Sequence, residues 1–134
     1  MRTLTDHKVN GANEQLEITV LDEPGAGGAS HLYQIEGFDS ASNPSDPWTE
    51  RHGCSATHST ILFQNGPIGD AGEKSLPQEV LLAIVAARLR SFQSGPYACR
   101  ENALALTKIE EAQHWLQSRT QKRMARGVEG THEV

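Results

Sequence analysis

Phe92-Gln93-Ser94-Gly95-Pro96-Tyr97-Ala98-Cys99-Arg100-Glu101-Asn102 decides the fold of this chain. Gly95-Pro96 stops one helix, because proline cannot continue the ladder and glycine frees the backbone to turn. A second helix is predicted to start near Tyr97, so the stretch reads as the bend of a helical hairpin. The bend carries an aromatic, Phe92, and an amide, Asn102; the far end of the second helix carries Arg119 and Arg123. A flat ring, an amide and guanidiniums are the groups that hold a base, its polar edges and its phosphates.

Upstream, Ser75 is predicted to cap the first helix, with Pro77 in its first turn and Gln78 three residues on. Leu81, Ile84, Val85, Leu89 and Phe92 form its apolar stripe. Downstream, the second helix is predicted to run to Arg126, with Gly127 as its stop. Asn102, Ile109, Leu116 and Arg123 recur at sevens, with Ala105, Ala112 and Arg119 between them. This is a heptad seam whose small residues admit another helix closely.

The first part of the chain reads as short strands. Leu16 to Leu21, His31 to Phe38 and Thr57 to Gln64 alternate apolar and polar residues with period two. Asp22 to Ala29, with Pro24 and three glycines, and Asn65-Gly66-Pro67 read as irregular connections. Asp39 to Gly53, broken by Pro44 and Pro47, reads as a loop. The expectation is α+β: one domain, 1–134, with a small antiparallel sheet in a β-rich part, 1–70, and a long helical hairpin over 75–127.

Composition narrows the partners. The net charge of −5 disfavours a nucleic-acid polymer. The first fifty residues hold only Arg2 and Lys8 against nine acids, whereas Ala112 to Val128 hold four basic residues and no acid. A basic end on an acidic protein suits a small anion. With 37% hydrophobic and 5% aromatic residues, the core of one subunit is expected to be thin and the chain to be a homo-oligomer. Two unspaced cysteines, Cys54 and Cys99, no apolar leader and no apolar run beyond Val80 to Ala87 point to a soluble intracellular protein without a membrane segment.

Catalytic and metal signatures are not apparent. The six histidines are scattered, and neither a nucleophile–base pattern nor a phosphate-binding loop is present, so the expectation is no catalytic residue, no metal and no cofactor. Cys99 beside Arg100 reads most simply as a small buried residue under the bend. Gly25-Ala26-Gly27-Gly28 is either a backbone cradle for phosphate or a flexible hairpin connection. Arg119 and Arg123, four apart on the seam line, either clasp an anion or reach past the core into water, and pattern alone does not choose. Phe92 is either core or a stacking ring, and Asn102 either a register-fixing polar residue or a ligand contact.

Phe92 to Lys108, the ending Arg126 to His132, Pro24 to Ala29 and Phe63 to Ile68 together resemble the phage-encoded Thoeris anti-defence sponge proteins, whose helical hairpin is shared with the sponge that blocks CBASS immunity. The resemblance runs from about Lys8 onward, and Gly69 to Gln78 departs from the family's Asn/Gly-rich connection. It implies an N-terminal antiparallel sheet, a C-terminal helix pair, and assembly into dimers or hexamers. It further implies sequestration of glycocyclic ADP-ribose made by TIR enzymes, without cleavage, in the cytoplasm of an infected bacterial host. Some members also hold cyclic di- or trinucleotides at a second site. By similarity, Phe92 stacks on adenine, Asn102 hydrogen-bonds the ligand, and Arg119 and Arg123 bind its phosphates. Arg88 and Arg90 are weaker candidates; Gly27, Gly28 and the Asn65-Gly66-Pro67 turn are candidates for the second site. The rival readings are a cyclic-nucleotide hydrolase and a structural or protein-interaction helical module.

Overall fold

The computed structural model describes residues 1–41, 43–45, 57–66 and 75–127. Pro47, His52, Cys54, Pro67, most of the Gly69 to Gln78 connection and the Val128 to Val134 ending lie outside the described residues. The fold is α+β. It comprises two compact units, Met1–Asn65 and Gly66–Val134.

The first unit is a four-stranded antiparallel sheet in the order β1 (Arg2–Leu4), β2 (Glu17–Val20), β3 (Leu32–Glu36), β4 (His58–Leu62). The three strands expected from alternation are present, each trimmed at its ends. β1 is an addition to that expectation: three residues are too few to show a period, and its place is set by pairing Leu4 with Ile18 and Arg2 with Val20. A short helix, α1 (Gly11–Glu14), lies between β1 and β2; the Asn10 side chain caps it by accepting the Asn13 amide at 2.9 Å.

Register aligns the apolar residues across strands: Ile18 opposite Ile35, Val20 opposite Tyr33, and Tyr33 opposite Ile61. Val20, on an inner strand, is almost wholly buried. The Tyr33 and Phe63 rings meet edge to face at 5.7 Å. The Asp22 carboxylate ties the β2–β3 connection back to the sheet, accepting the Leu32 amide at 2.9 Å and the His31 amide at 2.9 and 3.0 Å. The Leu32 amide, with the His31 amide behind it, holds the Asp22 carboxyl below its ordinary value.

The second unit is the helical hairpin: α2 (Gln78–Gln93) and α3 (Arg100–Ala125). The start of α2 corrects the expected Ser75 cap. Pro77 itself is the N-cap, extended at φ −81° and ψ 162°. A helix capped by Ser75 would need Leu76 in helical geometry, which the following proline disfavours. α3 begins three residues later than expected, with Cys99 as N-cap, and ends at Ala125 with Gly127 at φ 72° beyond it.

The apolar stripe of α2 is also corrected. Leu81 and Leu89 are partly buried, but Ile84, Val85 and Phe92 are exposed, and the best-packed line is Glu79, Leu82, Ala86, Leu89 and Gln93. Val80 to Ala87 is apolar all round, so sequence alone could not say which side a single partner helix covers. Among described apolar residues only Val20 and Ala86 are buried, so the core is thin.

Candidate functional site

At the bend, side chains rather than core packing fix the geometry. The Gln93 side-chain oxygen accepts the Cys99 amide at 3.0 Å. Asn102 Nδ2 donates to the Tyr97 carbonyl at 3.4 Å, and the Asn102 amide donates to Cys99 Sγ at 3.4 Å. Cys99 is exposed, which corrects its reading as a buried residue: its sulfur caps an orphan amide of α3.

Phe92 sits above this loop. The Arg88 guanidinium lies over its ring, 5.4 Å from the centroid, and Tyr97 meets it edge-on at 6.4 Å. Phe92 remains 36% exposed and Tyr97 74%. Arg88, Phe92, Tyr97 and Asn102 therefore form one aromatic, cationic and amide-bearing surface. Tyr97 was not foreseen as part of it; its signal was an aromatic five residues beyond Phe92 across a Gly-Pro turn. Arg90 points elsewhere and pairs with Glu110 at 3.0 Å.

At the other end of α3, the arginines divide. Arg119 is exposed, whereas Arg123 is 7% exposed. Asn102, Ile109, Leu116 and Arg123 are the packed heptad line; Ala105, Ala112 and Arg119 lie on a more open one. Asn102 and Arg119 are 17 residues apart on one helix, about 25 Å at a rise of 1.5 Å per residue. The bend surface and the arginine end are thus too far apart for one chain to bring both to one small ligand. A groove of about 310 Å³ near the arginine end is lined by Glu79, Leu116, Gln117, Thr120 and Gln121, and its lining includes none of the expected ligand residues.

Gly27 and Gly28 belong to the sheet unit. They occupy a 3-10 turn, Ala26–Gly28, at φ 74° and 78°, a region that favours glycine. The connection is irregular apart from this short turn, and the Asn65 side chain ties to it by accepting the Ala26 amide at 3.3 Å. Beyond both glycines the space is open. Among the described residues, no group of three or more His, Cys, Asp or Glu side chains could hold a metal ion, and no helix is long and apolar enough to cross a membrane.

Residues 55–121 match the family described as the Acb2/Tad1 hairpin domain. The chain belongs to this family. It is also similar to Thoeris anti-defense 1 of Bacillus phage SBSphiJ7, with 51% identity over 74 residues, which is 55% of this chain and 52% of that relative. The chain therefore spans about half the length of the relative it matches. The matched family region contains both helices up to Gln121, so Arg88, Phe92, Tyr97, Asn102 and Arg119 all fall inside it.

Proposed function

We propose that this protein is an anti-defence sponge that binds glycocyclic ADP-ribose and withholds it from a TIR-dependent immune effector without cleaving it. The observation that carries this reading is the Arg88–Phe92 platform beside Asn102 on a hairpin of the Acb2/Tad1 family. Phe92 offers a ring face or edge to adenine, Asn102 an amide, and Arg119 a forked donor to phosphate, with Arg123 behind it. Because some 25 Å separates Asn102 from Arg119 along α3, the bend of one protomer takes its phosphate contacts from the arginine end of a second. The protein acts as a homo-oligomer, dimer or hexamer, in the cytoplasm of an infected host. The open turn at Gly27 and Gly28 is a contact for a second ligand, a cyclic di- or trinucleotide.

Calorimetry with glycocyclic ADP-ribose, followed by heat denaturation and mass spectrometry of the released material, tests this. The expected result is saturable binding and full recovery of intact ligand. Accumulation of a cleaved product makes the protein a hydrolase. Absence of binding to any cyclic nucleotide leaves a protein-interaction module.

A further inference from the structure

The groove of about 310 Å³ lies between the first turn of α2, at Glu79, and the last turns of α3, at Leu116, Gln117, Thr120 and Gln121. It is not part of the arginine face. At about 100° per residue, Gln117 and Gln121 each lie roughly 160° round α3 from Arg119. The groove is therefore separate from the nucleotide contacts proposed above and does not depend on them.

Its polar groups are unengaged. Among the described residues, no hydrogen bond or ion pair holds the Glu79 carboxylate, the Thr120 hydroxyl or the Gln117 and Gln121 side-chain amides. Thr107, on the same helix, instead returns its hydroxyl to the Ala103 carbonyl at 3.1 Å. Glu79 and Thr120 are partly buried, as is Leu116, which forms the apolar floor. No cation neutralises Glu79 from its own helix: α2 carries no lysine or arginine before Arg88, more than two turns on. Arg123, on the packed line of α3, has an interaction of its own and does not line the groove.

The helix dipole favours an acid in the first turn of α2, but it does not account for an acid facing three further polar side chains over an aliphatic floor. A carboxylate, two side-chain carbonyls and a hydroxyl make an acceptor-rich wall. A phosphate or carboxylate ligand would meet the Glu79 charge. An ammonium brings three donors and no acceptor, and its methylene stem suits a leucine.

We infer that this groove binds a small primary alkylamine in its protonated form. Glu79 accepts one N–H in a charge-assisted bond, Thr120 Oγ and a Gln117 or Gln121 carbonyl oxygen accept the others, and the alkyl stem lies on Leu116. The volume stands at the low end of small-molecule sites, which suits a free amine. An amine seated there joins the start of α2 to the end of α3, so it staples the open end of the hairpin, opposite the Gly95-Pro96 bend.

NMR titration of the full chain with butylamine at neutral pH tests the site. Saturable shifts are expected at amides around Glu79 and from Leu116 to Gln121. Butanol lacks the charge and tetramethylammonium lacks the N–H donors, so each is expected to bind about tenfold or more weakly. Glu79→Gln keeps the shape, removes the charge and is expected to weaken butylamine binding about tenfold or more. Thr120→Val removes one acceptor and is expected to weaken it less. Arg119→Ala is expected to bind butylamine as the parent does. Absence of saturable shifts at millimolar butylamine overturns the site. So does equal binding of butanol or tetramethylammonium, or a Glu79→Gln protein that is folded by circular dichroism and binds as tightly. Should Glu79→Gln fail to fold, an undiminished Thr120→Val protein overturns it instead. Tighter binding of Nα-acetyl-lysine amide than of butylamine assigns the groove to a protein's lysine and overturns the free amine.

Discussion

The Arg88 guanidinium stands over the Phe92 ring, 5.4 Å from its centroid. The two are one helical turn apart on α2, so the helix itself sets the pair before any ligand arrives. A ligand base approaching Phe92 meets a face already polarised by a cation, or displaces that cation onto its own phosphates.

Arg88→Ala and Phe92→Ala should therefore both weaken binding of glycocyclic ADP-ribose, Phe92→Ala more. Aromatic stacking is worth about 1–3 kcal/mol per base, so a loss of roughly tenfold is expected for Phe92→Ala. Because Phe92 is about one-third exposed and its ring meets Arg88 and Tyr97, its removal should also lower the melting temperature modestly. Calorimetry paired with thermal denaturation separates the two effects.

Arg119→Ala should weaken ligand binding about tenfold or more, since charge-assisted hydrogen bonds are worth roughly 1.5–3 kcal/mol. Arg119→Lys should recover only part of this, because an ammonium keeps charge and loses the fork. Arg123→Ala should differ by also costing stability, because that side chain is buried. An Arg119→Ala protein that is folded and binds as tightly as the parent would place the phosphates elsewhere.

Asn102→Ala removes the bond to the Tyr97 carbonyl, so the bend should loosen by about 1 kcal/mol and ligand affinity fall with it. Amide exchange at Tyr97 to Arg100 is the direct readout: faster exchange there, with the rest of α3 unchanged, is the expected pattern.

The depressed Asp22 carboxyl makes the sheet acid-sensitive. A carboxyl whose folded value lies below its unfolded value of about 3.9 stabilises the fold fully above that value, and the contribution is lost as pH falls through the folded one. Asp22→Asn should therefore be less stable than the parent at neutral pH, with the difference shrinking toward zero in strong acid. Urea denaturation at the two extremes checks the sign.

Chelator should leave ligand binding unchanged, as the proposed contacts are aromatic, amide and guanidinium groups. Loss of binding in EDTA, restored by one divalent metal, would overturn that expectation.

Much of the hairpin was legible in the sequence because its signals are local. Gly95-Pro96 cannot stay helical, Gly127 takes φ 72° as a C′ glycine should, and the sevenfold line from Asn102 to Arg123 is the line that packs. The strands at Leu32–Glu36 and His58–Leu62 likewise follow from alternation. Phe92 and Asn102 could be singled out by their place at the bend. That Cys99 caps a helix, that Tyr97 meets the Phe92 ring, and that Arg119 is open while Arg123 is closed could not. A helix period fixes which residues share a face but not which face meets a neighbour, and where a run such as Val80 to Ala87 is apolar on every side, only tertiary packing chooses. β1 shows the same limit in the sheet: three residues have no readable period, and their strand exists only because β2 offers them hydrogen bonds.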